Sequence, residues 1–168
     1  MTEPSGTLPL QSAQYRDRIG IGADVGDSNT TAPFALVIDD QKGICQTIAI
    51  VLAQLGVESA SYQTANSAID ALDQRRPEII FLDMSLEQSD AIDVIKGLSE
   101  KHYTGIVQLM SGGKLPLLEA VQRIGARGGL VLRPPLQKPF RADAIREVVI
   151  NAGLARSIPS PPISATSR

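Results

Sequence analysis

Glu78-Ile79-Ile80-Phe81-Leu82-Asp83 sets four apolar residues between two acids. A short run this rich in β-branched and aromatic side chains reads as a central strand covered on both faces. The aspartate at its end then stands at the carboxyl edge of a sheet, where open α/β folds hold their ligands. An earlier stretch has the same design: Phe34-Ala35-Leu36-Val37-Ile38 runs into Asp39-Asp40. Two adjacent parallel strands ending this way bring three carboxylates into one pocket. Such a cluster repels itself and invites a hard divalent cation.

Outward from these strands, residues 34–153 alternate short apolar runs with helical patterns. Ile44, Ile48, Val51, Leu52 and Leu55 recur at helical spacing, and Gly56 can close that helix. Val57 to Tyr62 is a weaker, edge-like strand. Ala68, Ile69 and Leu72 mark a second helix, with Thr64 or Asn66 as its cap. Pro77 turns the chain into the central strand, and Ser89-Asp90 opens a third helix with Ile92, Ile95 and Leu98 on one face. Ile106 to Met110 is the fourth strand, ending at Ser111-Gly112-Gly113. Leu117, Leu118, Val121 and Ile124 belong to the fourth helix. Leu130-Val131-Leu132 begins the fifth strand, and Ile145, Val148 and Val149 lie on a fifth helix closed near Gly153.

Five βα units with right-handed crossovers predict an α/β, flavodoxin-like (βα)5 three-layer sandwich. Its parallel five-stranded sheet has the order 2-1-3-4-5. Pro134 and Pro135 fall inside or beside the last strand, and proline cannot donate to a ladder, so this strand belongs at an edge. Residues 1–33 hold no sustained period and are expected to be a mostly disordered arm, with Leu8 to Ile21 as a stretch that folds or docks on a partner. Residues 154–168 are expected to be a disordered Ser/Pro-rich tail, either native or the start of a linker.

The 168 residues suit one domain, and 43% hydrophobic with 20% charged residues is a globular composition. A net charge of −2 argues against broad attraction to nucleic acid or anionic membrane. The one cysteine, Cys45, permits no internal disulfide, and a reducing compartment fits. No segment approaches the roughly 18–20 apolar residues that span a bilayer, and no signal peptide is visible. The expected location is cytoplasmic.

The strand ends together carry Asp39, Asp40, Asp83, Ser111 and, after the fifth strand, Lys138. A Mg²⁺ ion takes one or two carboxylates, here with a backbone carbonyl near Ser85 and waters, and keeps room for a phosphate oxygen. Phosphoryl transfer needs mainly positioning and charge stabilisation, which the metal, Lys138 and the Ser111 hydroxyl supply. Asp83 is then the nucleophile, forming an acyl phosphate.

Asp39-Asp40, Asp83-Met84, Ser111-Gly112 and Lys138-Pro139-Phe140, in this order on these strand ends, resemble the receiver domain of two-component response regulators. The resemblance covers residues 34 to about 152. It implies that Asp83 accepts phosphate from a histidine kinase or a phosphotransfer protein. It implies Asp40 as a direct Mg²⁺ ligand and Asp39 as a ligand through water. Lys138 pairs with the phosphate, Ser111 is the switch hydroxyl, and the bond before Pro139 is of the Lys-Pro kind that is often cis in the family. Leu82 to Leu86, Ser89 to Ile92 and the Arg-Gly-Gly-Leu-Val-Leu approach to Leu136-Gln137-Lys138-Pro139-Phe140 are similar to receivers attached to EAL-type cyclic-di-GMP phosphodiesterases. No such domain follows within the sequence, so the chain is similar to a freestanding relative or to a receiver cut from a longer protein.

Two departures stand out. Pro135 occupies the place, three before the lysine, where the family usually has an aromatic switch residue. Glu87 stands where the family commonly has a proline. Two other readings stay open. A pseudo-receiver binds a partner without being phosphorylated. An aspartyl phosphohydrolase of the haloacid-dehalogenase type needs a second acid two residues after its nucleophile, and Ser85 occupies that place. Ser85 and Gly113 flank the expected phosphate and bear on water access. His102 reads as an exposed loop residue and Cys45 as a small core residue. No DNA-binding helix pair, basic stripe or enzymatic segment follows residue 153, so output is expected through contact with a downstream effector protein, with a homodimer left open.

Overall fold

A computed structural model of the chain describes residues 31–86, 91–113 and 117–156. Five strands alternate with five helices: β1 (Phe34–Ile38), α1 (Lys42–Gln54), β2 (Glu58–Tyr62), α2 (Ala65–Ala71), β3 (Ile79–Asp83), α3 (Ala91–Glu100), β4 (Ile106–Ser111), α4 (Leu118–Arg127), β5 (Val131–Gln137) and α5 (Ala142–Asn151). The strands are parallel in the order β2-β1-β3-β4-β5, as the pattern of elements predicts. The flavodoxin-like (βα)5 sandwich is therefore the fold.

Side chains alternate across each strand, so the sheet feeds two cores. Leu36, Ile38, Ile80, Leu82, Val107 and Leu109 pack with α2, α3 and α4. Ala35, Val37, Ile79, Phe81 and Met110 pack with α1 and α5. The register sets Leu36 beside Ile80 and Ile80 beside Val107, which makes each core continuous across three strands. Every residue of β3 is buried, Asp83 included. A fully buried aliphatic or aromatic side chain contributes about 1.5–3 kcal/mol relative to exposure. That drive is enough to hold one strand-end carboxylate out of water.

The helix ends follow local chemistry. Thr64, rather than Asn66, caps α2, its side chain accepting from Ser67 N. Four helices close with paired bonds of the Schellman kind, in which a residue with positive φ reverses the chain. Gly56, Gly129 and Gly153 fill that place after α1, α4 and α5. After α3 the residue is His102, at φ 51°, a left-handed conformation that costs a side-chain-bearing residue energy. His102 is exposed, as expected of a loop residue.

Some boundaries differ from the sequence reading. The buried face of α3 is Ala91, Val94, Ile95 and Leu98, with Ile92 only half-buried at its rim. β5 begins at Val131 and takes both prolines into the strand, at the sheet edge where their missing N–H groups are tolerated. Residues 1–30, with the Leu8–Ile21 stretch, Glu87 to Asp90, and residues 157–168 lie outside the described residues. Pro33 O accepts from Glu58 N at 2.8 Å, and Arg156 N donates to Leu55 O at 2.9 Å. No helix among the described residues is long and apolar enough to cross a membrane.

Candidate functional site: an acidic pocket at the carboxyl edge

β1 and β3 are neighbours, so their carboxyl ends deliver Asp39, Asp40 and Asp83 to one place. Each offers an oxygen within 4.8 Å of the others. Asp39 and Asp83 are fully buried and Asp40 is half-buried. Lys138 reaches the same point from the end of β5. Its Nζ donates to Asp39 Oδ2 at 2.6 Å and lies 3.0 Å from Asp83 Oδ2. The lysine is anchored from behind, because its backbone N–H donates to Ser111 O at 2.6 Å, and the Lys138–Pro139 peptide is cis.

The remaining carboxylate oxygens are unevenly satisfied. Asp39 Oδ1 accepts from Gln41 N at 2.9 Å, and Asp83 Oδ1 from Ser85 N at 3.2 Å. Asp40 Oδ1 and Asp83 Oδ2 are buried with no hydrogen-bond partner. The Lys138 contact to Asp83 Oδ2 is thus an ion pair outside hydrogen-bonding geometry. Orphaned buried oxygens are costly and rare. Three carboxylates facing one ammonium also leave negative charge in excess. Both features fit a hard divalent cation that takes oxygen ligands.

The electrostatics follow from burial. Burial pushes the Asp39 carboxyl above its ordinary value, and the Asp83 charge adds to this. The hydrogen bonds from Lys138 and Gln41 only partly offset it. Burial alone works to deprotonate Lys138, but its hydrogen bond to Asp39 and the negative charges of Asp83 and Asp39 outweigh this and raise its pKa. The ammonium is locked in.

Ser111 sits fully buried at the end of β4, yet its hydroxyl is turned into its own loop. It donates to Gly113 O at 2.8 Å and accepts from Gly113 N at 3.2 Å. The structure therefore brings four of the five expected side chains together and holds the fifth in a local turn. Ser85 and Gly113 are exposed at the rim. Cys45 lies just behind the pocket, buried, with Sγ 3.3 Å from Asp39 O. Burial, with Asp39 second, pushes its thiol pKa up, which suits an unreactive core residue.

One residue near the site was not foreseen. Gln108, in the middle of β4, is buried, and its side-chain amide donates to Leu109 O at 3.0 Å and to Pro134 O at 2.7 Å. The available signal was a lone amide in an apolar strand, pointing to a partner with unmet polar needs.

The sequence profile of the response regulator receiver domain matches residues 35–150. The chain belongs to that family. It is 29% identical over 117 residues to sporulation initiation phosphotransferase F of Bacillus subtilis, covering 68% of this chain and 88% of the relative. It is 28% identical over 113 residues to the nitrogen assimilation regulatory protein NtrX of Azorhizobium caulinodans, covering 66% of this chain but only 24% of that longer protein. Among solved structures, the receiver domain of NtrX from Brucella abortus matches with a TM-score of 0.57 and 28% identity, over 70% of this chain and 96% of that one. As a receiver domain, the chain is a signalling module of two-component phosphorelays, a family that binds Mg²⁺ at an acidic pocket.

Proposed function

We propose that Asp83 accepts a phosphoryl group from a histidine kinase or a phosphotransfer protein and that the phosphorylated domain signals by contact with a downstream effector protein. In the transfer, an Asp83 carboxylate oxygen attacks the phosphorus of a phosphohistidine. The new O–P bond forms as the N–P bond breaks, and the imidazole nitrogen keeps the electron pair. The observation that carries this reading is the position of Lys138 Nζ, 2.6 Å from Asp39 and 3.0 Å from Asp83, at the mouth of a carboxylate cluster with two orphaned oxygens.

Asp39, Asp40, Asp83 and the backbone carbonyl of Ser85 would hold Mg²⁺, which when bound supplies positive charge against the phosphoryl oxygens. Lys138 holds a second positive charge at a fixed point and shields Asp83 from Asp39. Burial excludes bulk water from the nucleophile. The Ser111 hydroxyl, now spent on Gly113, is the group free to re-pair when a phosphoryl oxygen arrives. Such a change would pull on the loop between β4 and α4. Because Pro135 replaces an aromatic, we place the readout in that loop rather than in a rotating ring on β5.

In this reading the chain is a non-enzymatic switch acting in the cytoplasm, and it has no direct nucleic-acid or membrane contact. Residues 34–153 form its receiver unit. Leu82 to Leu86, Ser89 to Ile92 and the approach to Phe140 resemble receivers attached to EAL-type cyclic-di-GMP phosphodiesterases. The test is incubation with acetyl phosphate and Mg²⁺ followed by intact mass measurement. One added phosphate is expected, absent from Asp83→Asn and from a sample held in EDTA. No addition to the parent chain would overturn the proposal.

A further inference from the structure

The pairing of β4 with β5 changes register part-way. Ile106↔Val131, Val107↔Leu132 and Gln108↔Arg133 keep one offset, while Met110↔Leu136 and Ser111↔Gln137 are shifted by one residue. The extra residue lies at Pro134-Pro135, where β5 has carbonyls to offer but no N–H groups. A bulge of this kind re-aims everything beyond it. Here, three residues beyond Pro135, that is Lys138.

Gln108 pairs with Arg133 just before the bulge and places both hydrogens of its side-chain amide on carbonyls, Leu109 O and Pro134 O. Both partners are acceptors, so the nitrogen must face them. The side chain is buried at 2% exposure, in a strand whose other members are apolar or lead into the acidic pocket. Two residues further along the same strand, Met110 O accepts from Met84 N, next to Asp83.

We infer that Gln108 is a positioning residue for phosphoryl transfer: it pins the Pro134-Pro135 bulge and so holds β5 in the register that delivers Lys138 to Asp39 and Asp83. Without the pin, β5 is free to continue at its first offset. A slip of one residue moves the chain about 3.3 Å and turns each following side chain to the opposite face. Lys138 makes its contacts at 2.6 Å and 3.0 Å and would lose both.

This inference rests on Asp83 being the phosphate acceptor, and the experiment separates the two. Gln108→Met keeps length and burial while removing both donors. Lys138→Ala removes the charge that is being positioned. The full-length parent, each single variant and the double variant are compared by rate of phosphorylation from acetyl phosphate and by Mg²⁺ affinity in calorimetry. Gln108→Met is expected to slow phosphorylation about 10- to 100-fold. It is also expected to bind Mg²⁺ as tightly as the parent or tighter, because a displaced ammonium no longer competes for the carboxylates. General damage to the pocket would weaken the metal instead. The double variant is expected to be no slower than Lys138→Ala alone.

Parent-like phosphorylation of Gln108→Met, weakened Mg²⁺ binding, or losses that multiply in the double variant would each overturn the role. A parent chain that takes no phosphate would instead overturn the assignment of Asp83. Should Gln108→Met fail to show a cooperative melt, Gln108→Asn, a donor too short to reach Pro134 O, takes its place with the same expected pair of effects.

Discussion

The Nζ atom of Lys138 lies 3.0 Å from Oδ2 of Asp83, off the line of a hydrogen bond, while the same ammonium donates to Asp39 at 2.6 Å. Lys138 thus sets one positive charge against two fully buried carboxylates. Removing one partner of a buried ion pair strands the other charge and costs about 3–5 kcal/mol. Lys138→Ala is therefore expected to lose about 3 kcal/mol in denaturant unfolding with EDTA present, and to regain most of it with saturating Mg²⁺. Equal losses in both buffers would contradict the charge argument.

Asp40 is expected to behave in the opposite sense. Its Oδ1 is buried without a partner, beside two other acids. Asp40→Asn removes one like charge from the cluster, and the metal-free protein should be more stable in denaturant unfolding. Its Mg²⁺ affinity should fall in calorimetry. A variant that is both less stable and equally good at binding Mg²⁺ would show that the cluster is an ordinary polar surface.

His102 closes α3 in a left-handed conformation at φ 51°, where three other helices use glycine. Arg76 supports it by donating to Lys101 O and His102 O, contacts to backbone that survive a change of side chain. His102→Gly is expected to stabilise the fold by about 1 kcal/mol, raising the thermal midpoint. A lower midpoint would mean that the imidazole contributes more than its conformation costs.

Tyr103 supplies the pH dependence. It is buried against the turn before β4, and burial, with the nearby Glu78 charge, pushes its phenol well above the ordinary value of about 10. The folded state thus favours the protonated form. Its contribution is complete below about pH 10 and is lost as pH rises above that, where the unfolded chain ionises first. Stability measured between pH 9 and about 11.5 should fall for the parent and fall less for Tyr103→Phe. The bond from Tyr103 Oη to Ile106 O is long, at 3.4 Å, so the substitution itself should cost little near neutrality.

Much of this was legible from order alone. Apolar runs four or five residues long read as strands in a chain whose other apolar positions recur at helical spacing. An acid closing two such runs must lie at the carboxyl edge once the sheet is parallel. Asp39, Asp40 and Asp83 were found that way and Lys138 by its place after the fifth strand, and the structure brings them together. The hydroxyl of Ser111 was less legible, because its choice between the pocket and Gly113 depends on a loop path that no spacing rule sets.

Local pattern and period thus determined the elements, their order and the ends on which the acids sit, because side-chain alternation and turn chemistry act over a few residues. Which carboxylate oxygens are left without partners was decided only in three dimensions, as was the register shift at Pro134-Pro135 that Gln108 meets from β4. Those features arise where segments 26 or more residues apart in sequence come into contact. At that range only the packed sheet sets the distance between a donor and its acceptor.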